Sequence, residues 1–322
     1  MVWVLILLAL GVLGCAYFVF CGALFDVCSM RGRALARKVK AKPPDPQVWD
    51  AFRAQMDAGR AWFEAQDAVP VSIKSRDGLA LAGKYLACPG SENTILMVHG
   101  YRSSCENDFS CAFQAFYERG FNLLTIDQRA HGKSEGTYIL FGAAERYDVV
   151  EWVNFLDATY HPRRIVLHGI SMGASTVLMA LDQGLSKSVV GAVADCGFTT
   201  PAQIQAYVMR RVLHMSPKWL LPGVGLIAKI RTGYRMYGAS ATESVRRAQV
   251  PVLFIHGDDD DYVPFRMGQA NYDACPEPKW LCAVPGAGHG VSYMVDRAKC
   301  EAALRQFDER VLADPAPQAR TR

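Results

Sequence analysis

Charge is missing from residues 2–25, acid is missing from residues 27–44, and no lysine or arginine precedes the first apolar run. A secretory signal would carry a basic leading segment, a shorter apolar run and a small-residue cleavage site. Its absence sets a cleaved signal aside. Val12-Leu13-Gly14-Cys15 looks faintly like a lipoprotein cleavage box, but the apolar run continues past Cys15. The ten cysteines form no tight framework, and no Cys/His group has zinc-ligand spacing, so no metal is implied. No motif asks for a cofactor. No internal repeat divides the 322 residues, which sets repeat architectures aside. The net charge is only +4, and much of it lies in one short strip, so a nucleic-acid partner is unsupported.

The uncharged run is long enough to cross a bilayer as a helix, for which about 20 apolar residues suffice. We read residues 1–26 as a transmembrane helix. Arg31, Arg33, Arg37, Lys38, Lys40 and Lys42 follow it. Positive flanks prefer the cytoplasm, which places the body of the chain on that face, and they attract anionic headgroups. Residues 27–69 read as this basic juxtamembrane strip, a linker with Pro43-Pro44-Asp45-Pro46, and an amphipathic helix. In that helix Trp49, Phe52, Met56, Trp62 and Phe63 can rest on lipid or on the rest of the protein. The cysteines read as a reduced set, with Cys105 and Cys111 near enough to bridge if the domain faces outward, and Cys28 open to acylation.

The most informative segment is Gly169-Ile170-Ser171-Met172-Gly173. It follows the apolar run Ile165-Val166-Leu167 and precedes the helix-forming stretch 174–180, so strand, sharp turn and helix adjoin. That is the setting of a nucleophile elbow, in which small flanking residues let strand and helix approach and the serine hydroxyl stands out of the sheet. Met172 N–H then lies at a helix N-terminus, where it can hold an oxyanion. Downstream, the apolar strand Pro251-Val252-Leu253-Phe254-Ile255 runs into His256-Gly257-Asp258-Asp259-Asp260-Asp261. Four adjacent carboxylates cannot all be buried as anions, so most belong at the surface. A further strand, Trp280-Leu281-Cys282-Ala283-Val284, leads to the Gly-rich loop that carries His289. Serine, acid, histidine is the chain order this elbow architecture uses. Upstream, Thr94-Ile95-Leu96-Met97-Val98 is followed by His99-Gly100-Tyr101. Tyr101 is our choice for the second oxyanion N–H, its ring can wall an acyl pocket, and His99 reads as a brace for the loop.

These segments, together with Asp127-Gln128-Arg129-Ala130-His131-Gly132 and Asp195-Cys196-Gly197-Phe198, resemble the α/β-hydrolase superfamily. The likeness is strongest to bacterial single-pass serine hydrolases described as serine-aminopeptidase-like or esterase-like, and spans about residues 70–312. The resemblance implies a mostly parallel, doubly wound α/β sheet with a short helical cap. It places the triad acid at the central aspartate of His-Gly-x-x-Asp-x-x-Val-Pro, which is Asp260 here. Asp258 is the second choice, and Asp195 a rival, since some relatives place the acid after the preceding strand. Asp127, Arg129 and His131 are read as turn architecture with an Asp–Arg pair.

The expected layout is a hairpin at 70–76 and 79–87 turning at Asp77-Gly78, then strands at 94–98, 121–126, 164–168, 189–195, 250–255 and 279–284. Helices are expected at 109–118, 143–157, 172–182 and 297–311, with 70–312 forming the hydrolase domain and 313–322 a disordered tail. Residues 197–245 break the strand–helix rhythm and read as the cap, with a helix at 202–213. Phe198, Trp219 and Leu220 are pocket candidates beside Tyr101, although the cap residues can equally pack onto the core. The expected activity is carboxylic ester hydrolysis on small or lipid-like esters, through Ser171, His289 and Asp260 with the N–H groups of Tyr101 and Met172. Aminopeptidase and thioesterase chemistry use the same groups, and a membrane scaffold without catalysis is the rival of a different class. A dehalogenase would carry aspartate in the elbow.

Overall fold

A computed structural model describes residues 1–32, 46–211, 214 and 216–313. The basic positions from Arg33 to Lys42, the proline-rich linker before Pro46, the side chain of Trp49 and the tail 314–322 lie outside what it describes. Eight strands form one sheet: β1 (Val69–Lys74), β2 (Ala80–Leu86), β3 (Asn93–Val98), β4 (Phe121–Ile126), β5 (Arg164–Ile170), β6 (Val189–Asp195), β7 (Val252–Gly257) and β8 (Lys279–Val284). Their order is β1-β2-β4-β3-β5-β6-β7-β8. β2 is antiparallel to β1 and to β4, and the other neighbours are parallel.

The parallel strands are apolar on both faces because helices cover both. On β3, Leu96 and Val98 enter one core with Trp152, Val177 and Phe254. Ile95 and Met97, pointing the other way, enter a second core with Phe113, Phe121 and Phe307. Helices Glu145–Thr159 and Met172–Ala180 supply the first layer, and Phe113–Glu118 and Arg297–Val311 the second. This is the α/β-hydrolase fold.

Several boundaries differ from expectation. The helix expected over 109–118 begins only at Phe113, as Phe113–Glu118, and a separate short helix, Cys105–Asp108, precedes it. Ser104 caps the earlier turn by accepting from Asn107 N–H, and the Asp108 carboxylate turns back to accept from Gly100 N–H at 2.6 Å. Between β6 and β7 lie helices Pro201–Arg211 and Pro217–Thr232, the latter continuing through Pro222. Arg129 does not pair with Asp127; it forks onto Asp148 at 2.6 Å and onto Asp77 at 2.9 and 3.0 Å. Asp127 instead accepts from Lys133 N–H. Its closeness in sequence to Arg129 concealed partners that lie far along the chain.

The amphipathic helix Pro46–Glu64 rests on the protein body. Phe63 stacks on Phe113 with ring centroids 4.4 Å apart, Trp62 meets Tyr117, and Met56 is buried. The N-terminal helix Val2–Ser29 extends past the expected limit at residue 26. Residues 2–20 are mostly exposed, whereas Cys21, Leu24, Phe25 and Ser29 are buried against the protein.

The turn after β5 depends on two glycines. A Cβ at Gly173 would lie 1.9 Å from the Val98 carbonyl oxygen, and one at Gly169 would lie 2.3 Å from the Gly173 backbone. Both obstacles are backbone and cannot swing aside. Gly173→Ala is expected to cost about 3 kcal/mol, at the upper end for overpacking, in urea denaturation of the detergent-solubilised chain. An unchanged midpoint would contradict this account of the turn.

Candidate active site

Parallel strands deliver the candidate residues to one rim. Ser171 follows β5, the His99-Gly100-Tyr101 loop follows the neighbouring β3, Asp260 follows β7, and His289 follows β8. The crevice at strand carboxyl ends, where the order of connection reverses, is where ligands bind in open α/β sheets. Here the chain reverses between β3 and β5.

Ser171 is held at φ 55° and ψ −115°, a conformation that costs a non-glycine residue of order 1–3 kcal/mol and persists only when its surroundings enforce it. Its N–H is fixed by the Asp195 carbonyl at 2.8 Å, and the two glycine contacts set the angle between strand and helix. The result aims the hydroxyl at His289: Nε2 lies 2.8 Å from Ser171 Oγ, and Nδ1 lies 2.7 Å from Asp260 Oδ2. A carboxylate only accepts, so Nδ1 carries the ring proton and Nε2 accepts from the serine hydroxyl.

Among the four aspartates, Asp260 is buried and the other three are exposed. Its Oδ1 accepts from the N–H groups of Tyr262 and Val263 at 2.9 and 2.8 Å. Burial pushes this carboxyl up, but the imidazoles of His289 and His256 more than offset that and leave it well below the usual carboxylate range. His256 Nε2 donates to the Val263 carbonyl at 2.9 Å while lying 3.3 Å from Asp260 Oδ2. Asp258 accepts from Gly286 N–H at 2.7 Å and so steadies the loop that carries His289. Asp261 pairs with Arg211 at the surface. Asp195, the rival acid, ends β6 behind the elbow, and the carboxylate hydrogen-bonded to His289 is Asp260.

Gly100 sits against the elbow, since a Cβ there would meet Ser171 Cβ at 3.3 Å. Among the described residues no acceptor is paired with the N–H of Tyr101 or of Met172. His99 is fully buried, with Nδ1 2.8 Å from the Gly100 carbonyl and Nε2 accepting from Gln128 N–H at 3.1 Å. It is bound into the loop architecture. His131 plays a similar part by accepting from Arg102 N–H, and burial pushes its imidazole down to about 3.

The pocket candidates separate. Tyr101 stacks on Phe141 at 5.1 Å. Phe198 is enclosed in the main core, with its carbonyl accepting from Ser175 and Asn271. Trp219 is 71% exposed, and Leu220 is half-buried on the same helix. Sequence reasoning missed Tyr262, whose ring lies 5.0 Å from that of His289. It also missed the end of the N-terminal helix. The Cys28 carbonyl accepts from Tyr101 Oη at 2.5 Å, and Arg102 donates to the carbonyls of Val27 and Met30. No local pattern signals a contact across more than seventy residues. All ten cysteines are free, Cys105 and Cys111 included. Cys196 Sγ lies near Asp260 and His289. Burial keeps that thiol far above its ordinary range, and Asp260 and His289 are hydrogen-bonded to each other.

With this geometry in view, the comparisons agree on the class of protein. A model of the alpha/beta hydrolase family matches residues 95–303, and the chain belongs to that family. The uncharacterized protein YqkD of Bacillus subtilis is 31% identical over 263 residues, covering 80% of this chain and 86% of its own. YfhR of Escherichia coli (strain K12) is 26% identical over 228 residues, 68% of this chain and 72% of its own. Among solved structures, the Pyrococcus furiosus esterase Pf2001 is 24% identical with a TM-score of 0.62, covering 77% of this chain and 93% of that one. Est1E of Butyrivibrio proteoclasticus, solved with ferulic acid, is 18% identical with a TM-score of 0.59, covering 76% and 100%. These two likenesses concern the fold.

Burial pushes the Asp195 carboxyl up to about 7 from an ordinary 3.8, and its Oδ1 has no partner among the described residues. The folded state therefore keeps a proton that the unfolded chain releases, so this group lowers stability as pH rises from about 4 to about 7. Asp195→Asn removes that loss. Thermal unfolding in detergent at pH 5 and pH 8 is expected to show a smaller drop in Tm for the variant than for the parent. Equal drops would contradict the assignment.

Proposed function

We propose that this chain is a membrane-anchored serine hydrolase that cleaves carboxylic esters through an acyl-enzyme. The observation that carries this reading is the unbroken hydrogen-bonded sequence from Ser171 Oγ through His289 to Asp260. Ser171 attacks the ester carbonyl while His289 Nε2 takes the hydroxyl proton. The oxyanion is held by the N–H groups of Met172 and Tyr101, donors of a kind whose single loss costs about 2.7–4 kcal/mol in barrier. The carbonyl re-forms, the C–O bond to the alcohol breaks, and His289 passes its proton to the leaving oxygen. Water, deprotonated by the same nitrogen, then attacks the acyl carbonyl; the C–O bond to Ser171 Oγ breaks, and His289 returns the proton to that oxygen as the acid leaves. Asp260 stays ionised throughout and supports the imidazolium. Tyr101 and Tyr262 wall the acyl side.

Residues 2–20 rise through roughly 28 Å at about 1.5 Å per residue, near the ~30 Å of a hydrocarbon core, and they are the part of the N-terminal helix that the protein leaves largely uncovered. This supports the helix as the anchor, and the basic residues after it support a hydrolase domain on the cytoplasmic face.

Ser171→Ala is expected to abolish p-nitrophenyl butyrate hydrolysis with an unchanged circular dichroism spectrum. Asp260→Asn is expected to lower kcat by about 10⁴ by presenting the wrong tautomer of His289. Substantial turnover by folded Ser171→Ala protein would sink the proposal.

A further inference from the structure

Outside the N-terminal helix, the large hydrophobic side chains left exposed among the described residues are Val69, Trp219, Leu226, Ile230 and Val295. Three of these lie on one helix, Pro217–Thr232, at 71%, 44% and 70% exposure. With the exposed Pro222 they occur at intervals of three, four and four residues, the spacing that lines one face of a helix. None of the described residues covers this stripe. Soluble surfaces scatter such residues singly, as Val69 and Val295 are scattered here.

What adjoins the stripe is the apolar N-terminal helix. Tyr17 donates to the Trp219 carbonyl at 2.6 Å, and Cys21 Sγ faces the Leu220 carbonyl. Gly223 lies against Tyr17 and Cys21 so closely that a Cβ would meet both at 2.5 Å. At the other end Arg231 pairs with Asp26 and passes over the Phe25 ring. The two helices therefore cross at a slant, with the Trp219 end level with residue 17 and the Arg231 end level with residues 22–26. If residues 2–20 fill the hydrocarbon core, Trp219 and Tyr17 fall at its edge, where aromatic residues of mixed character concentrate. Leu226 and Ile230 then fall in the headgroup layer. Lys218 and Lys229 are exposed on the same helix, as a helix lying on anionic lipid requires.

We propose that helix Pro217–Thr232 is a second membrane contact, slanting through the interface with Trp219 and Pro222 at the hydrocarbon edge and Leu226 and Ile230 in the headgroup layer of one leaflet. This rests on the reading of the N-terminal helix as a span, because that span fixes where the bilayer begins. Two contacts, one transverse and one slanting through the interface, hold the body at a fixed attitude. The last turns of the N-terminal helix hydrogen-bond Tyr101 and Arg102, so that attitude also fixes the Ser171 rim relative to the leaflet. The substrate class that suits such a rim is an amphiphilic ester already partitioned in the membrane.

The test is photocrosslinking of the full chain in vesicles of phosphatidylcholine with phosphatidylglycerol. A benzophenone amino acid replaces Trp219, Ile230, Leu8 or Val295 in turn, and adducts are identified by mass spectrometry. Lipid adducts at 219, 230 and 8, but not at 295, are expected. Adducts at 8 with none at 219 and 230 overturn the interfacial helix and leave the span standing. Absence of adducts at 8 overturns the span and the proposal with it. Protein adducts in place of lipid at 219 and 230 assign the stripe to a protein partner and also overturn the proposal.

Discussion

A carboxylate taken out of water costs several kcal/mol unless its oxygens are occupied, and Asp260 meets that cost at every contact. Two backbone N–H groups hold one oxygen, and His289 holds the other with His256 close behind it. Because the anion is stabilised in this way, it can orient the His289 ring, and in the proposed mechanism that orientation gives Ser171 its base. The remaining architecture serves this alignment. β7 and β8 are paired side by side so that their loops meet, and Asp258 and the close packing of Gly257 on Ala287 hold those loops together.

The elbow supplies the other half of the alignment. Its serine is strained, and that strain is stable only because backbone meets backbone at Gly169 and Gly173 with no room for a side chain. Stability and chemistry are thus coupled at one point: the contact that keeps strand and helix together also presents the hydroxyl.

Most of this was legible in the sequence. The parallel strands are short, apolar runs, and their order of appearance specified a doubly wound sheet. Ser171 and His289 stand in turns rich in glycine, a signal that is local in the sequence. Family spacing singled out Asp260 among the four aspartates as the expected acid, and in the structure it is the one of the four that is buried and hydrogen-bonded to His289. What stayed hidden was non-local. Arg129 is matched with Asp148 and Asp77, Tyr262 reaches the His289 ring, and the N-terminal helix hydrogen-bonds Tyr101 from more than seventy residues away. The span expected from the sequence ends at residue 26, with residues 27–29 in the basic strip, whereas the helix runs to Ser29 and packs most of residues 21–29 against the protein. Only the fold shows that they form part of the rim.

The central claim is that Ser171 becomes covalently acylated during turnover. Rapid acid quench of the full chain with excess p-nitrophenyl butyrate, followed by peptide mass spectrometry, tests it directly. The account predicts a butyryl group on the peptide bearing Ser171, accumulating within the first turnover and absent from Ser171→Ala protein. Ester turnover with that peptide unmodified at every quench time, or acylation at another side chain, would contradict it.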